Sequence, residues 1–221
     1  TGPSREPLIL IVPGHDTDQA QHWQKAWVQE WAHCERLDLG LWDEPHRNTW
    51  VNKLNLAITR ADRPVILVAY GLGCLTVAWW AEYEQPQSGD PVIGALLVAP
   101  PDIDRPGIDA RVAKFGTVPR RPLPFRSFLV PCTEDPLCNY HTAYSVARDW
   151  GAHFISSEDE EVETGHPHDK EWPLGEALIK RMHTQSPASH TPRTVPTGIR
   201  AHKPPQRGLV ADPSPARLIG R

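Results

Sequence analysis

The residues with the clearest chemical potential stand where an apolar run ends in two closely spaced glycines. The sequence there reads Val68-Ala69-Tyr70-Gly71-Leu72-Gly73-Cys74. A strand that passes through a sharp turn into a helix can present the central turn residue as a nucleophile above a sheet, and small neighbours permit the strained turn. The central residue here is Gly71, which has no side chain. The turn therefore has the outline of a nucleophile site without the nucleophile.

A thiol three residues further on offers a substitute nucleophile. Cys74 falls in the first turn of the predicted helix, where a helix N-terminus lowers the pKa of a thiol and favours the reactive thiolate. The alternative is that Cys74 belongs to the buried core, where a free cysteine behaves as a small apolar side chain.

Acid–base groups follow two later apolar runs. Asp135 stands before a proline, and His166 lies thirty-one positions further along the chain. A carboxylate and an imidazole can serve as acid and base, although each is also an ordinary loop residue. His168 and Asp169 complete a His-x-His-Asp cluster that could suggest a metal site. One such cluster without distant partners is usually a polar loop, so no metal is predicted.

Short apolar runs alternate with segments of helical periodicity over residues 8–183. Two of the runs are apolar throughout, as expected of strands buried on both faces of a sheet. The alternation predicts an α/β domain with a doubly wound, mostly parallel sheet, whose sites form beyond the carboxyl ends of the strands. The predicted strands are Leu8–Val12, Arg36–Leu39, Val65–Ala69, Val92–Ala99, Ser127–Val130 and His153–Ile155, and the predicted helices are the segment of Trp23, Trp27 and Trp31, then Thr49–Arg60, Leu72–Tyr83, Tyr140–Trp150 and Leu174–His183.

The segment Pro100–Pro124 is too long for a plain connection between a strand and the next element. It is either a small lid over the site or an irregular surface loop. As a lid, its mixture of arginines with Ile103, Ile108, Val112 and Phe115 would suit a partly apolar ligand.

Residues 185–221 differ in composition from the rest. They hold seven prolines, and six Arg or Lys against one acid, with no helical or alternating pattern. We therefore predict a folded α/β domain over residues 1–184 and a disordered, Pro-rich basic tail over residues 185–221. The stretch Lys203-Pro204-Pro205 could adopt an extended left-handed helix, which leaves open a docking role toward a protein partner.

Composition narrows the partners and cofactors. The net charge is −4 and the tail is basic, so the domain repels polyanions and nucleic acid is not expected as a partner. The apolar runs are far shorter than the roughly 20 residues of a membrane span, and the four cysteines lack C-x-x-C spacing, which together predict a cytoplasmic protein with free thiols. Because the sequence starts at Thr1, a targeting segment that has been removed stays an open alternative.

The two glycines of the turn do not indicate a dinucleotide site. Gly71-x-Gly73 is followed by Thr76 where a dinucleotide fingerprint needs glycine, and no cofactor is predicted.

Several short motifs occur in a fixed order along residues 8–183. They are Ile11-Val12-Pro13-Gly14 with His22-Trp23-Gln24, the turn at Gly71, Leu97-Val98-Ala99-Pro100, Asp135-Pro136, and Gly165-His166 before Trp172-Pro173. In this order they resemble the YdeN-like and retinoblastoma-binding serine hydrolases of the α/β-hydrolase superfamily. The turn of that family usually reads His-Ser-Leu-Gly-Cys or His-Ser-Ser-Gly, so this chain departs from it at Tyr70 and Gly71.

The resemblance implies an α/β-hydrolase fold with a minimal lid and a catalytic triad. Asp135 matches the triad acid and His166 the general base, while Gly71 stands at the position of the nucleophilic serine. Backbone N–H groups near His15 and at Leu72 match the oxyanion hole. In such a triad the histidine takes the serine proton and the carboxylate fixes the histidine tautomer. Without a hydroxyl at residue 71, the histidine has no proton to take.

Two functional hypotheses follow from the resemblance. In the first, the chain is a catalytically impaired pseudohydrolase whose pocket binds a small ester- or amide-like ligand or a protein partner. In the second, it remains a weak hydrolase of small esters or amides, acting through a water activated by His166 or through Cys74. The oxyanion hole and substrate binding alone can accelerate such reactions roughly 10³–10⁴-fold over water.

Overall fold

The fold is known from a computed structural model, which describes residues 6–15, 22–132, 135–156 and 171–184. Strands and helices alternate along these residues as the sequence predicts. The strands are β1 (Leu8–Val12), β2 (Cys34–Arg36), β3 (Val65–Tyr70), β4 (Val92–Val98), β5 (Arg126–Val130) and β6 (His153–Phe154). The helices are α1 (His22–Glu30), α2 (Arg47–Arg60), α3 (Leu72–Glu84), α4 (Ala110–Ala113), α5 (Tyr140–Trp150) and α6 (Pro173–Thr184).

The strands form one parallel sheet in the order β2-β1-β3-β4-β5-β6. The chain starts near one edge, moves outward once to β2, and then crosses to the other side of β1 and continues to β6. This reversal of direction is the doubly wound arrangement, and it confirms the predicted fold class. In such a sheet the reversal opens a crevice at the carboxyl ends of the central strands, β1 and β3, where sites form.

Alternate residues of the central strands enter two different cores, which explains why β1 and β3 are apolar throughout. On one face, Leu10 and Leu67 pack with α2, α3 and α5. On the other face, Ile11 and Val68 pack with α1 and α6, where the indoles of Trp23, Trp27 and Trp172 are fully buried. The sheet is thus held between two layers of helices, and its central strands have little freedom to move.

Only β1 has the bounds predicted for it; β3, β4, β5 and β6 each differ by one residue at one end, and β2 differs at both ends. The second strand is Cys34–Arg36 rather than Arg36–Leu39, because its extent follows the register with β1, in which Ile9 faces Cys34 and Ile11 faces Arg36. Leu39 is buried but lies beyond the strand. The fourth strand ends at Val98, one residue early, because Ala99 turns into a left-handed conformation with φ 50°.

All of the described residues belong to one compact unit, Thr1–Pro187. The predicted tail lies outside the described residues, so the boundary at residue 184 stays a prediction. None of the described helices is both long enough and apolar enough to cross a membrane.

Candidate functional site

The turn between β3 and α3 has the geometry that the sequence predicts. Gly71 has φ 53° and ψ −123°, a combination that side-chain-bearing residues avoid. Its N–H donates to the Val98 carbonyl at 2.9 Å, and its carbonyl accepts from the Cys74 N–H at 3.0 Å. A Cβ placed on Gly71 would have no neighbour within 4 Å. A side chain at residue 71 would therefore project into open space at the carboxyl edge of the sheet.

A second glycine lets the loop after β1 lie directly against this turn. A Cβ on Gly14 would stand 2.9 Å from the Tyr70 carbonyl oxygen and 3.2 Å from the Leu72 nitrogen. The loop that carries His15 therefore reaches the N-terminus of α3, where Leu72 is the first helical residue and the first N–H groups have no partner within the helix. The structure brings together the two backbone segments, at His15 and Leu72, that the resemblance assigns to an oxyanion hole. That the two N–H groups together form an oxyanion hole stays a prediction.

Asp135 lies at the same edge of the sheet and is bonded to the turn. Its Oδ2 accepts a hydrogen bond of 2.9 Å from the Tyr70 hydroxyl, the residue directly before Gly71. Its Oδ1 accepts from the Leu137 N–H, also at 2.9 Å. Burial raises the pKa of the Tyr70 hydroxyl, and the Asp135 charge raises it further, so the phenol stays protonated and donates. The family resemblance places Asp135 at the site, but the sequence analysis did not connect it with Tyr70.

This Tyr70–Asp135 contact is the feature that sequence reasoning missed. The two residues are 65 positions apart, and they meet because β3 and β5 flank β4 in the sheet. The available signal was a long polar side chain at the last position of a buried strand, next to the turn. Such a side chain needs a buried partner, and the loop after β5 carries the nearest predicted acid.

Cys74 is not available as a nucleophile. Its side chain is fully buried, and its Sγ donates to the Val98 carbonyl at 3.3 Å and lies 3.6 Å from the Ala69 carbonyl. Burial raises the thiol pKa well above its ordinary value, which outweighs the lowering expected at a helix N-terminus. The hypothesis of a substitute thiol nucleophile was therefore wrong. Cys74 is a buried core cysteine, as the alternative predicted.

We expect this burial to show in thiol modification. With iodoacetamide under native conditions, Cys74 should remain unmodified while the half-buried Cys138 reacts slowly, since burial raises the pKa of Cys138 to about 11. In denaturant, both should react fully. Peptide mass spectrometry measures each site, and native modification of Cys74 as fast as that of Cys138 would restore it as a candidate nucleophile.

The segment over residues 100–124 is attached on two sides of the site. Near its start, the Asp102 N–H donates to the Leu137 carbonyl at 2.7 Å, and Arg105 donates to the Pro136 carbonyl, both in the loop of Asp135. Further along, Arg111 donates to the Asp43 carbonyl at 3.3 Å. The segment is thus fastened both to the acid loop and to the loop before α2.

Three of the four apolar residues singled out in this segment are buried in the core, whereas Ile108 is half-buried against that core. Ile103, Val112 and Phe115 are buried in the core beneath the segment, where Phe115 packs edge-on against Trp50 at 5.5 Å between ring centroids. The three buried side chains therefore give no support to the partly apolar ligand that was inferred from this segment. At the start of α4, hydrogen bonds from Arg111 lower the pKa of Asp109 to about 2, and the two side chains form an ion pair.

His166, the predicted base, lies outside the described residues, as do His168 and Asp169. Within the described ranges there is no group of three or more His, Cys, Asp or Glu residues that could hold a metal. The geometry of the site therefore rests on Gly71, the helix start at Leu72, and the Tyr70–Asp135 pair.

A parallel, doubly wound sheet with a strained turn between its central strand and the following helix is the architecture of an α/β-hydrolase. A family model for serine hydrolases matches residues 9–181, and the chain belongs to the serine hydrolase family. Comparison with curated proteins finds no match.

Solved structures with the same fold include two YdeN-like proteins. A putative YdeN-like hydrolase from Pectobacterium atrosepticum has a TM-score of 0.64 at 23% identity, over 83% of this chain and 94% of that one. The ydeN gene product of Bacillus subtilis has a TM-score of 0.65 at 16% identity, over 81% and 100%. The mouse α/β hydrolase domain-containing protein 10 is more distant, with a TM-score of 0.52 at 17% identity, over 83% and 90%. At these identities the likeness shows the fold.

Proposed function

We propose that this chain is a catalytically impaired member of the serine hydrolase family that uses its site to bind a small ester- or amide-like ligand or a protein partner. The observation that carries the proposal is Gly71. It holds the turn where the family presents its nucleophile, at φ 53° and facing open space, and it has no side chain. A triad mechanism requires a hydroxyl or thiol at that point, and neither is there.

The rest of the site supports binding more than turnover. Cys74 is sealed in the core, so it does not replace the missing hydroxyl. The backbone segments at His15 and Leu72 still meet beside the turn, and main-chain donors need no particular side chain. A carbonyl group could thus be held there without being attacked. The alternative, weak hydrolysis through a water activated by His166, needs no side chain at residue 71. The four free cysteines support a cytoplasmic location.

The test restores the missing group. We expect the wild-type protein to be unreactive toward a fluorophosphonate probe and to leave p-nitrophenyl acetate and butyrate uncleaved. Gly71→Ser should become labelled by the probe, because the new hydroxyl has room and lies beside the predicted oxyanion donors. Gly71→Ala is the matched control, since it adds the same Cβ without the oxygen, and it should stay unlabelled.

Two further outcomes separate the hypotheses. If His166→Ala abolishes labelling of the Gly71→Ser protein, His166 is the base that the family resemblance assigns. If the wild-type protein cleaves ester and His166→Ala removes that activity, the pseudohydrolase proposal is wrong and the water-mediated hydrolase is correct. Binding of uncleaved p-nitrophenyl butyrate to the wild-type protein, measured by saturation-transfer NMR, tests the ligand role directly.

A further inference from the structure

The carboxylate of Asp135 is already engaged on both of its oxygens. The Tyr70 hydroxyl donates to Oδ2 and the Leu137 N–H donates to Oδ1, each at 2.9 Å. The second bond lies within the loop of Asp135 itself, and the first comes from the central sheet. A carboxylate that accepts hydrogen bonds has its charge stabilised, so it attracts a further proton donor less strongly.

Tyr70 is held rigidly in the position from which it binds Asp135. It is the last residue of β3, its backbone is in register with Val98 of β4, and its side chain is only 5% exposed. The residue after it is Gly71, whose conformation fixes the direction of the chain at the turn. Because the sheet positions the phenol, the bond to Asp135 costs little further ordering of the side chain.

We propose that Tyr70 is a positioning residue that binds Asp135 and withholds its carboxylate from acid–base chemistry, which makes it a second obstacle to hydrolysis, separate from the missing side chain at Gly71. The inference rests on the proposed function, because it treats Asp135 as the acid of the family's triad. Restoring a serine at residue 71 therefore removes one obstacle and leaves the other in place.

The inference predicts that the two substitutions act together. A bond to a charged group contributes enough that its removal should change the reactivity about tenfold. We expect the fluorophosphonate to label Tyr70→Phe/Gly71→Ser about ten times faster than Gly71→Ser alone, because Phe keeps the ring and removes only the hydroxyl. Tyr83→Phe/Gly71→Ser is the control. Tyr83 is an exposed tyrosine near the end of α3, far from Asp135 in the fold, and its change should leave the rate unaltered.

A pH profile separates this role from general loosening of the site. Labelling needs the base in its neutral form, and in the triad that the family resemblance assigns, a freed carboxylate would stabilise the protonated form of that base. The pH of half-maximal labelling should therefore move upward in Tyr70→Phe/Gly71→Ser relative to Gly71→Ser. A merely looser site would change the rate without moving this midpoint.

A second variant guards against misfolding. Tyr70→Leu/Gly71→Ser also removes the phenol and places no other hydrogen-bond donor beside Asp135, and it should label faster than Gly71→Ser if it retains a cooperative melting transition. The inference is overturned if Tyr70→Phe leaves the labelling rate and the pH midpoint unchanged, or if no serine variant reacts at all. Ester cleavage by the wild-type protein would refute the proposed function, whereas the comparison among the serine variants decides this inference on its own.

Discussion

Gly73→Ala is expected to destabilise the protein by at least about 3 kcal/mol, at the upper end of what overpacking costs. A Cβ at residue 73 would collide with the Val12 carbonyl oxygen and stand 2.9 Å from the Pro13 carbonyl oxygen. Both are backbone atoms at the end of β1, where Val12 pairs with Ala69 of β3. They cannot move away without breaking the central pairing of the sheet. Thermal unfolding should show a fall in Tm of roughly 6–12 °C.

Helix propensity makes this a strict test. Replacing glycine with alanine inside a helix ordinarily gains about 1 kcal/mol, so any loss must come from the collision. Gly94→Ala, in β4, is the control for a collision with a side chain, because its Cβ would stand 2.7 Å from the Met182 sulfur and 3.3 Å from the nearest backbone atom, the Arg126 carbonyl oxygen. Its Tm should fall less than that of Gly73→Ala. Equal Tm values for the two variants would mean that β1 and α3 do not approach as closely as the structure shows.

The close approach of α3 to β1 also explains why the turn could be predicted from the sequence. A run of apolar residues ending in Gly71-x-Gly73 indicates a strand that turns sharply into a helix packed against the neighbouring strand. The structure requires each glycine for a different reason. Gly71 has backbone angles that other residues avoid, and a Cβ on Gly73 would collide with the Val12 carbonyl oxygen. Local patterns of this kind depend on a few adjacent residues, and they can be recognised without knowing the rest of the fold.

The errors concern properties that depend on distant residues. One of the two alternatives for Cys74 had its thiol pKa lowered by the helix N-terminus, but burial raises it. If the 100–124 segment is a lid, its apolar residues were expected to suit a partly apolar ligand, but Phe115 packs on Trp50 of α2. The partner of Tyr70 was missed, because the contact depends on the order of β3, β4 and β5 in the sheet. The burial of a side chain and the identity of its hydrogen-bond partner depend on how the whole sheet assembles, so a few adjacent residues do not reveal them.

A side chain at residue 71 is expected to lower stability for a different reason from that at residue 73. The space around a Cβ on Gly71 is open, so nothing collides, and the cost arises from the backbone at φ 53° and ψ −123°. Strain of this kind costs about 1–3 kcal/mol, and these angles lie outside even the left-handed helical region, so we expect the upper end of that range. Gly71→Ala should lower Tm by roughly 5–10 °C, and Gly71→Ser by a similar amount.

Gly151→Ala supplies the control for positive φ alone. Gly151 ends α5 with φ 66° and ψ 22°, in the ordinary left-handed region, and its Cβ would make only a normal contact of 3.9 Å with Pro122. Alanine there should cost about 1 kcal/mol. If Gly71→Ala costs no more than Gly151→Ala, the turn is not strained. If it costs more, a nucleophile at residue 71 would have to be maintained against the stability of the fold. Glycine is then the residue that the backbone of this turn favours, as expected if the proposed loss of catalysis has removed the need for a side chain there.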